Sequence, residues 1–166
     1  MMSYLYDDMH LKRITEEYGN MVFRLCLIYI KNYTDAEDAY QEVFIKIIEK
    51  APQFNSKEHE KAWLIKVTIN HCKNILKKYK NKKLITLDEN IFISINNKNE
   101  QDIIQNVLTL PINYRNVIYL YYYEGYSTKE ISNIIKTKEV TIRSWLKRAR
   151  DELRKLLGGV INEQDI

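Results

Sequence analysis

The run Thr141-Ile142-Arg143-Ser144-Trp145-Leu146-Lys147-Arg148-Ala149-Arg150 sets cations and hydroxyls where they could grip a nucleic acid. Laid out at about 100° per residue, Ile142, Leu146, Ala149, Leu153 and Leu156 fall on one side and form a core stripe. The opposite side presents Ser144, Lys147, Arg148 and Asp151, flanked by Arg143, Arg150 and Arg154. Long cations reach phosphates, and Arg or Lys can bond guanine edges in a major groove. Upstream, Ser127-Thr128-Lys129-Glu130 fits a capping box that opens a short helix to about Ile135. A turn of about four residues centred on Lys136-Thr137 joins it to a last helix over about Lys138 to Leu157. That is helix-turn-helix spacing. A solvated charged face on an ordinary bundle helix is the plainer account of the same pattern.

A second group sits mid-chain. Lys66, Lys73, Lys77, Lys78, Lys80, Lys82 and Lys83 lie on or just after one helix, with no acid among residues 61–83. Such a block repels itself unless a polyanion neutralises it. Phe54, Trp63 and Tyr79 lie close in sequence. Cations mixed with aromatics suit single-stranded DNA, where bases stack and phosphates are tracked. For Trp63 the reading favoured is core packing, and Phe54 stands in a polar loop.

The third group is Asp35-Ala36-Glu37-Asp38-Ala39-Tyr40-Gln41-Glu42-Val43-Phe44. Acids at a helix start are explained by the helix dipole. Glu42, one turn further in, is not. An acidic stripe could bind a basic partner, or it could be a solvated face; spacing leaves both open.

No other chemistry is expected. The sequence has no phosphate-cradling Gly-rich loop, nucleophile motif or metal cluster, so an enzyme, a cofactor and a metal are not expected. His10, His59 and His71 lack ligand spacing. Cys26 and Cys72 read as small buried thiols in a reducing compartment. No apolar run is long enough to cross a bilayer, and the start carries no secretory pattern. The expectation is a cytoplasmic protein without a membrane partner.

The elements that must hold these groups are helical. The 166 residues hold four glycines and two prolines, and all of them but Gly19 fall at expected helix ends. Residues 1–60 carry seven Lys/Arg against eleven Asp/Glu, residues 61–83 eight lysines and no acid, and residues 84–166 eleven of each sign. An acidic module followed by a lysine block suggests one basic and one anionic partner.

A first helix is expected from about Leu11 to Lys31, with Ile14, Tyr18, Val22, Leu25, Cys26 and Tyr29 inward. A second, N-capped by Thr34, runs to about Lys50 with Ala36, Ala39, Val43, Ile47 and Ile48 inward. Gln53 to Glu60 reads as a loop, and a third helix follows over about Lys61 to Lys80. Ile91 to Ile95 could pass as a strand but has no partner. Further helices are expected over Asp102 to Leu110 and Ile112 to Glu124. The fold class expected is all-α: two small helical domains, 1–80 and 101–160, joined by a flexible linker, 81–100, the second domain a helix-turn-helix.

The chain resembles the sigma-70 family of bacterial RNA polymerase sigma factors, in its short extracytoplasmic-function (ECF) group. Thr34 to Phe44 looks like the family's polymerase clamp-binding helix. Ala62-Trp63-Leu64-Ile65-Lys66-Val67-Thr68-Ile69-Asn70 looks like its promoter-melting segment. Leu110-Pro111-Ile112-Asn113-Tyr114-Arg115-Asn116-Val117-Ile118 resembles the start of its C-terminal domain, and Thr141 to Arg150 its recognition helix.

The resemblance implies roles. Asp35, Glu37, Asp38, Gln41 and Glu42 would dock on core RNA polymerase. Phe54, Asn55, His59, Lys66, Asn70, Lys73 and Lys77 would hold the melted promoter element, with one base flipped out. Thr141, Arg143, Ser144, Lys147 and Arg148 would contact the upstream element of promoter DNA, with Arg143 on phosphate. An anti-sigma protein of the kind that holds many relatives inactive is a further implied partner. Lys136, Lys138, Val140 and Trp145 depart from the family's usual residues. Two rivals remain at this stage: a helix-turn-helix regulator that acts without core polymerase, and a helical adaptor with no DNA role.

Overall fold

The computed structural model describes residues 8–50, 52–79 and 98–158. All regular structure among them is helical: α1 (Asp8–Ile30), α2 (Tyr33–Lys50), α3 (Lys57–Tyr79), α4 (Lys98–Thr109), α5 (Ile112–Ile118), α6 (Thr128–Ile135) and α7 (Glu139–Leu156). A five-residue π-turn, Tyr119–Tyr123, extends α5. The chain divides into two compact units, α1–α3 and α4–α7. Lys80, Lys82, Lys83, the strand-like stretch 91–95 and most of the expected linker lie outside the described residues. α4 opens at Lys98, inside the segment expected as linker.

In the first unit, Ile14, Val22, Leu25 and Ile30 of α1, Ala36, Val43 and Ile47 of α2 and Leu64 and Ile65 of α3 are fully buried. The apolar period of each helix thus builds one core. Just past α1, Lys31 takes a φ of 59° that reverses the chain. α2 follows at once. Its cap is Asn32, not Thr34: the Asp35 N–H donates to the Asn32 side-chain oxygen at 3.0 Å. α3 starts one turn earlier than expected because Ser56 caps it, accepting from the His59 N–H at 3.1 Å. The second half of the expected loop is therefore helix.

Three residues expected inside are not. Ile48 is 43% exposed, Leu156 is 49% exposed, and Trp63 is half-buried. Each sits at the margin of an apolar stripe, where a step of about 100° turns the side chain outward. Cys26 and Cys72 are both buried and free. A hydrogen bond to Cys72 and burial push the Cys26 thiol up, away from reactive thiolate.

The second unit closes over Leu120, Ile131, Ile142, Leu146 and Leu153, all fully buried or nearly so. Both halves of the expected capping box form: Glu130 N–H donates to Ser127 Oγ at 3.1 Å, and Ser127 N–H to Glu130 Oε2 at 2.8 Å.

Candidate polymerase and nucleic-acid surfaces

Asp35 is half-exposed at the start of α2, and Glu37, Asp38, Gln41 and Glu42 are exposed along it. At about 100° per residue they spread over roughly half of the helix circumference, opposite Ala36, Val43 and Ile47. Ile45, at 52% exposure, and Ile48 lie on the same outer face, one and two turns beyond Gln41. The sequence reading missed both as surface residues. The signal was the spacing 41–45–48, which repeats the helical period on the polar side. Glu42 is held from below: His71 Nε2 of α3 lies 2.5 Å from its Oε2. Burial, then the charges of Asp35, Asp38 and Glu42, push the Tyr79 hydroxyl up. The acids of α2 thus lie near the last turn of α3.

On α3, His59, Lys66, Asn70, Lys73 and Lys77 are spaced 7, 4, 3 and 4. Those steps return each residue to within about 40° of one line along the helix. Lys66 is half-buried and the other four are exposed. Leu64, Ile65, Thr68, His71 and Cys72 point the other way, into the unit. At the head of the stripe, Phe54 packs edge-on against His59 and Trp63, with ring centroids 5.5 Å from each. Asn55 is exposed beside them. The structure therefore brings all seven residues expected at the melted element to one side of α3 and its leading loop.

Beside Phe54 opens a cleft of about 410 Å³, lined by His10 and Arg13 of α1, the loop from Pro52 to Ser56, Lys57 and Glu60. The participation of α1 was not legible in the sequence. Glu60 forms the buried wall, and both its oxygens accept from Arg13, at 2.9 and 2.7 Å. The hydrogen bonds from Arg13 hold the Glu60 carboxyl below its usual range. Burial, with the Glu60 charge, raises Tyr18 to about 12.

On α7, Arg143, Lys147 and Arg148 are exposed, while Thr141 and Ser144 are half-buried. All lie off the buried stripe of Ile142, Leu146, Ala149 and Leu153. Arg143 donates to Glu139 at 2.9 Å, and Thr128 of α6 donates to the same oxygen at 2.9 Å. The Thr128 bond, then Arg143, keep the Glu139 carboxyl low. This carboxylate ties the two helices together where Lys138 supplies no side-chain cap.

Lys136 adopts the left-handed conformation, φ 52° and ψ 51°, which glycine takes without a Cβ penalty. Arg150 is turned away from the cationic face. Its Nε bonds the Tyr122 hydroxyl, and its guanidinium lies 5.5 and 5.4 Å from the Tyr121 and Tyr122 ring centres. Val140, 71% exposed at the start of α7, is an apolar surface residue that the sequence reading marked only as a departure.

Among the described residues no group of His, Cys, Asp and Glu could hold a metal, and no helix is long and apolar enough to cross a membrane.

Residues 14–82 match sigma-70 region 2, and residues 101–153 match sigma-70 region 4. The ECF RNA polymerase sigma factor SigM of Bacillus subtilis is 31% identical, covering 94% of this chain and all of that one. SigW of the same organism is 27% identical over 87% of each chain. Among solved structures, the sigma factor RpoE in complex with the anti-sigma factor NepR, from Bartonella quintana, shares the fold with a TM-score of 0.74. It is 19% identical, covering 90% of this chain and 98% of its own. With both conserved regions present in order and a curated relative matched end to end, the chain belongs to the sigma-70 family of RNA polymerase sigma factors, in the ECF group.

Proposed function

We propose that this sigma factor directs core RNA polymerase to promoters through three separate surfaces. The outer face of α2, with Asp35, Glu37, Asp38, Gln41 and Glu42, docks on the polymerase clamp helices, and Ile45 and Ile48 add apolar area to that contact. The Phe54 loop and the α3 stripe hold the melted strand. The cleft beside Phe54 receives a flipped base, whose unstacking costs a few kcal/mol that pocket contacts and stacking offset. On α7, Thr141, Ser144, Lys147 and Arg148 face the upstream element, Arg143 holds phosphate, and Val140 suits a thymine methyl.

The observation that carries this reading is the alignment of His59, Lys66, Asn70, Lys73 and Lys77. Their track spans 18 residue steps, about 27 Å of helix. A track of cations beginning at an aromatic cluster suits a single strand that is both stacked and followed along its phosphates. A repressor that reads duplex DNA without polymerase has no use for this track, nor for the acidic face of α2.

The role is non-catalytic: the chain positions polymerase and promoter, and the polymerase does the chemistry. Action on polymerase and promoter DNA supports a cytoplasmic location. The RpoE relative was solved with an anti-sigma factor, and we assign this chain a partner of that kind as well. The test is run-off transcription with core polymerase that lacks its own specificity subunit. Addition of the purified chain should yield transcripts from a defined start site on a cognate promoter. Tight duplex binding without polymerase, together with no start-site selection, would favour the regulator instead.

A further inference from the structure

Glu42 faces two environments. Its side chain is 55% exposed on α2, while the imidazole it bonds is only 10% exposed. The contact joins residues 29 apart, His71 Nε2 to Glu42 Oε2 at 2.5 Å. A glutamate on a helix surface has three rotatable bonds, and ordering such a side chain at an interface costs about 0.5–1.5 kcal/mol. A carboxylate already held by one neighbour avoids part of that cost, and it still has free lone pairs for a partner. His71 is well placed to supply the hold. It is buried on the α2 side of α3, directly after Asn70 of the cationic stripe.

We propose that His71 is a positioning residue for polymerase docking: it fixes the Glu42 carboxylate on the face of α2, so the charge that the polymerase meets is ordered before contact. This rests on the reading of α2 as the docking face. The contact also joins that face directly to the helix that carries the melted-strand residues.

The proposal is tested with the full chain titrated against core polymerase, following a fluorescent label, with thermal unfolding of each variant measured alongside. His71→Phe keeps a buried ring but removes the donor, and should weaken assembly by about tenfold, the scale of one charge-assisted hydrogen bond. His71→Gln, whose amide N–H can reach the same oxygen, should recover most of the affinity. In a Glu42→Ala background, His71→Phe should make no further difference. If His71→Phe does not fold, His71→Met takes its place in the cycle.

Wild-type affinity in the His71 variant would overturn the proposal. So would an equal loss with and without Glu42, because His71 would then act only through the fold. Wild-type assembly by Glu42→Ala itself would instead sink the docking role of Glu42, a different failure read from a different variant.

Discussion

Arg13 and Glu60 meet across the first unit, 47 residues apart, through two parallel hydrogen bonds of 2.9 and 2.7 Å. The pair is unevenly buried: the Arg13 side chain is 35% exposed and that of Glu60 only 5%. Removing the arginine leaves a buried carboxylate without its charged partner, whereas removing the carboxylate leaves an arginine that water can reach. Arg13→Met should therefore cost about 3 kcal/mol of unfolding free energy, and Glu60→Gln about 1 kcal/mol. Urea denaturation of the two variants measures the difference, and equal losses would contradict the unequal burial.

The same pair sets a pH dependence. Arg13 lowers the folded-state pKa of Glu60. Its contribution is complete above the ordinary carboxylate value of about 4.3 and is lost as pH falls through the lowered folded value. Wild-type stability should fall over that acid range more steeply than that of Glu60→Gln, as monitored by thermal unfolding at stepped pH.

Lys136 holds φ at 52° with a full side chain. That conformation costs an L-residue about 1–2 kcal/mol, which glycine avoids, while glycine adds some entropy to the unfolded chain. Lys136→Gly should raise stability by roughly 0.5–1 kcal/mol. Calorimetry of the full chain checks this, and a fall in melting temperature would contradict it.

Arg148 and Arg150 stand two residues apart and should behave oppositely. Arg148→Ala should weaken use of one promoter class by about 1–3 kcal/mol per lost base contact without altering stability. Arg150→Leu breaks the contacts with Tyr121 and Tyr122, so it should cost about 0.5–1 kcal/mol of stability. Promoter titrations paired with unfolding curves separate the two.

The lysines of α3 should show themselves through salt. Each phosphate contact on a single strand contributes about 0.7 to the slope of log affinity against log salt. Lys73→Ala with Lys77→Ala should reduce the slope for holoenzyme on melted promoter by about 1.4. An unchanged slope would take both residues off the strand.

The sequence carried the helices because apolar residues recur at helical spacing, and Ile14, Tyr18, Val22, Leu25, Cys26 and Tyr29 are buried as that period requires. Where two apolar residues are adjacent, as at Ile47 and Ile48, periodicity cannot say which turns outward; the packing of α2 buries Ile47 and leaves Ile48 outside. Asn32 and Thr34 are both competent caps, and only the backbone reversal at Lys31 decides between them. Of the α3 stripe, Lys66, Lys73 and Lys77 were legible as part of one lysine block; His59 falls in the stretch expected as loop, and it and Asn70 enter only through the family resemblance. The joints between helices, Glu42 with His71 and Arg13 with Glu60, were not, because each depends on how two elements pack. Nor does any residue type announce the widened turn at Tyr119–Tyr123.

That widened turn is closed by the Glu124 N–H bonding the Tyr119 carbonyl at 3.1 Å, five residues back. The segment therefore carries one residue more than regular α-helical winding needs. Shortening it by one residue would let ordinary winding resume while rotating whatever lies on one side of the cut by about 100° against the other. Tyr121 and Tyr122 could then no longer both meet Arg150, so this surplus residue keeps the aromatic shelf in phase with α7.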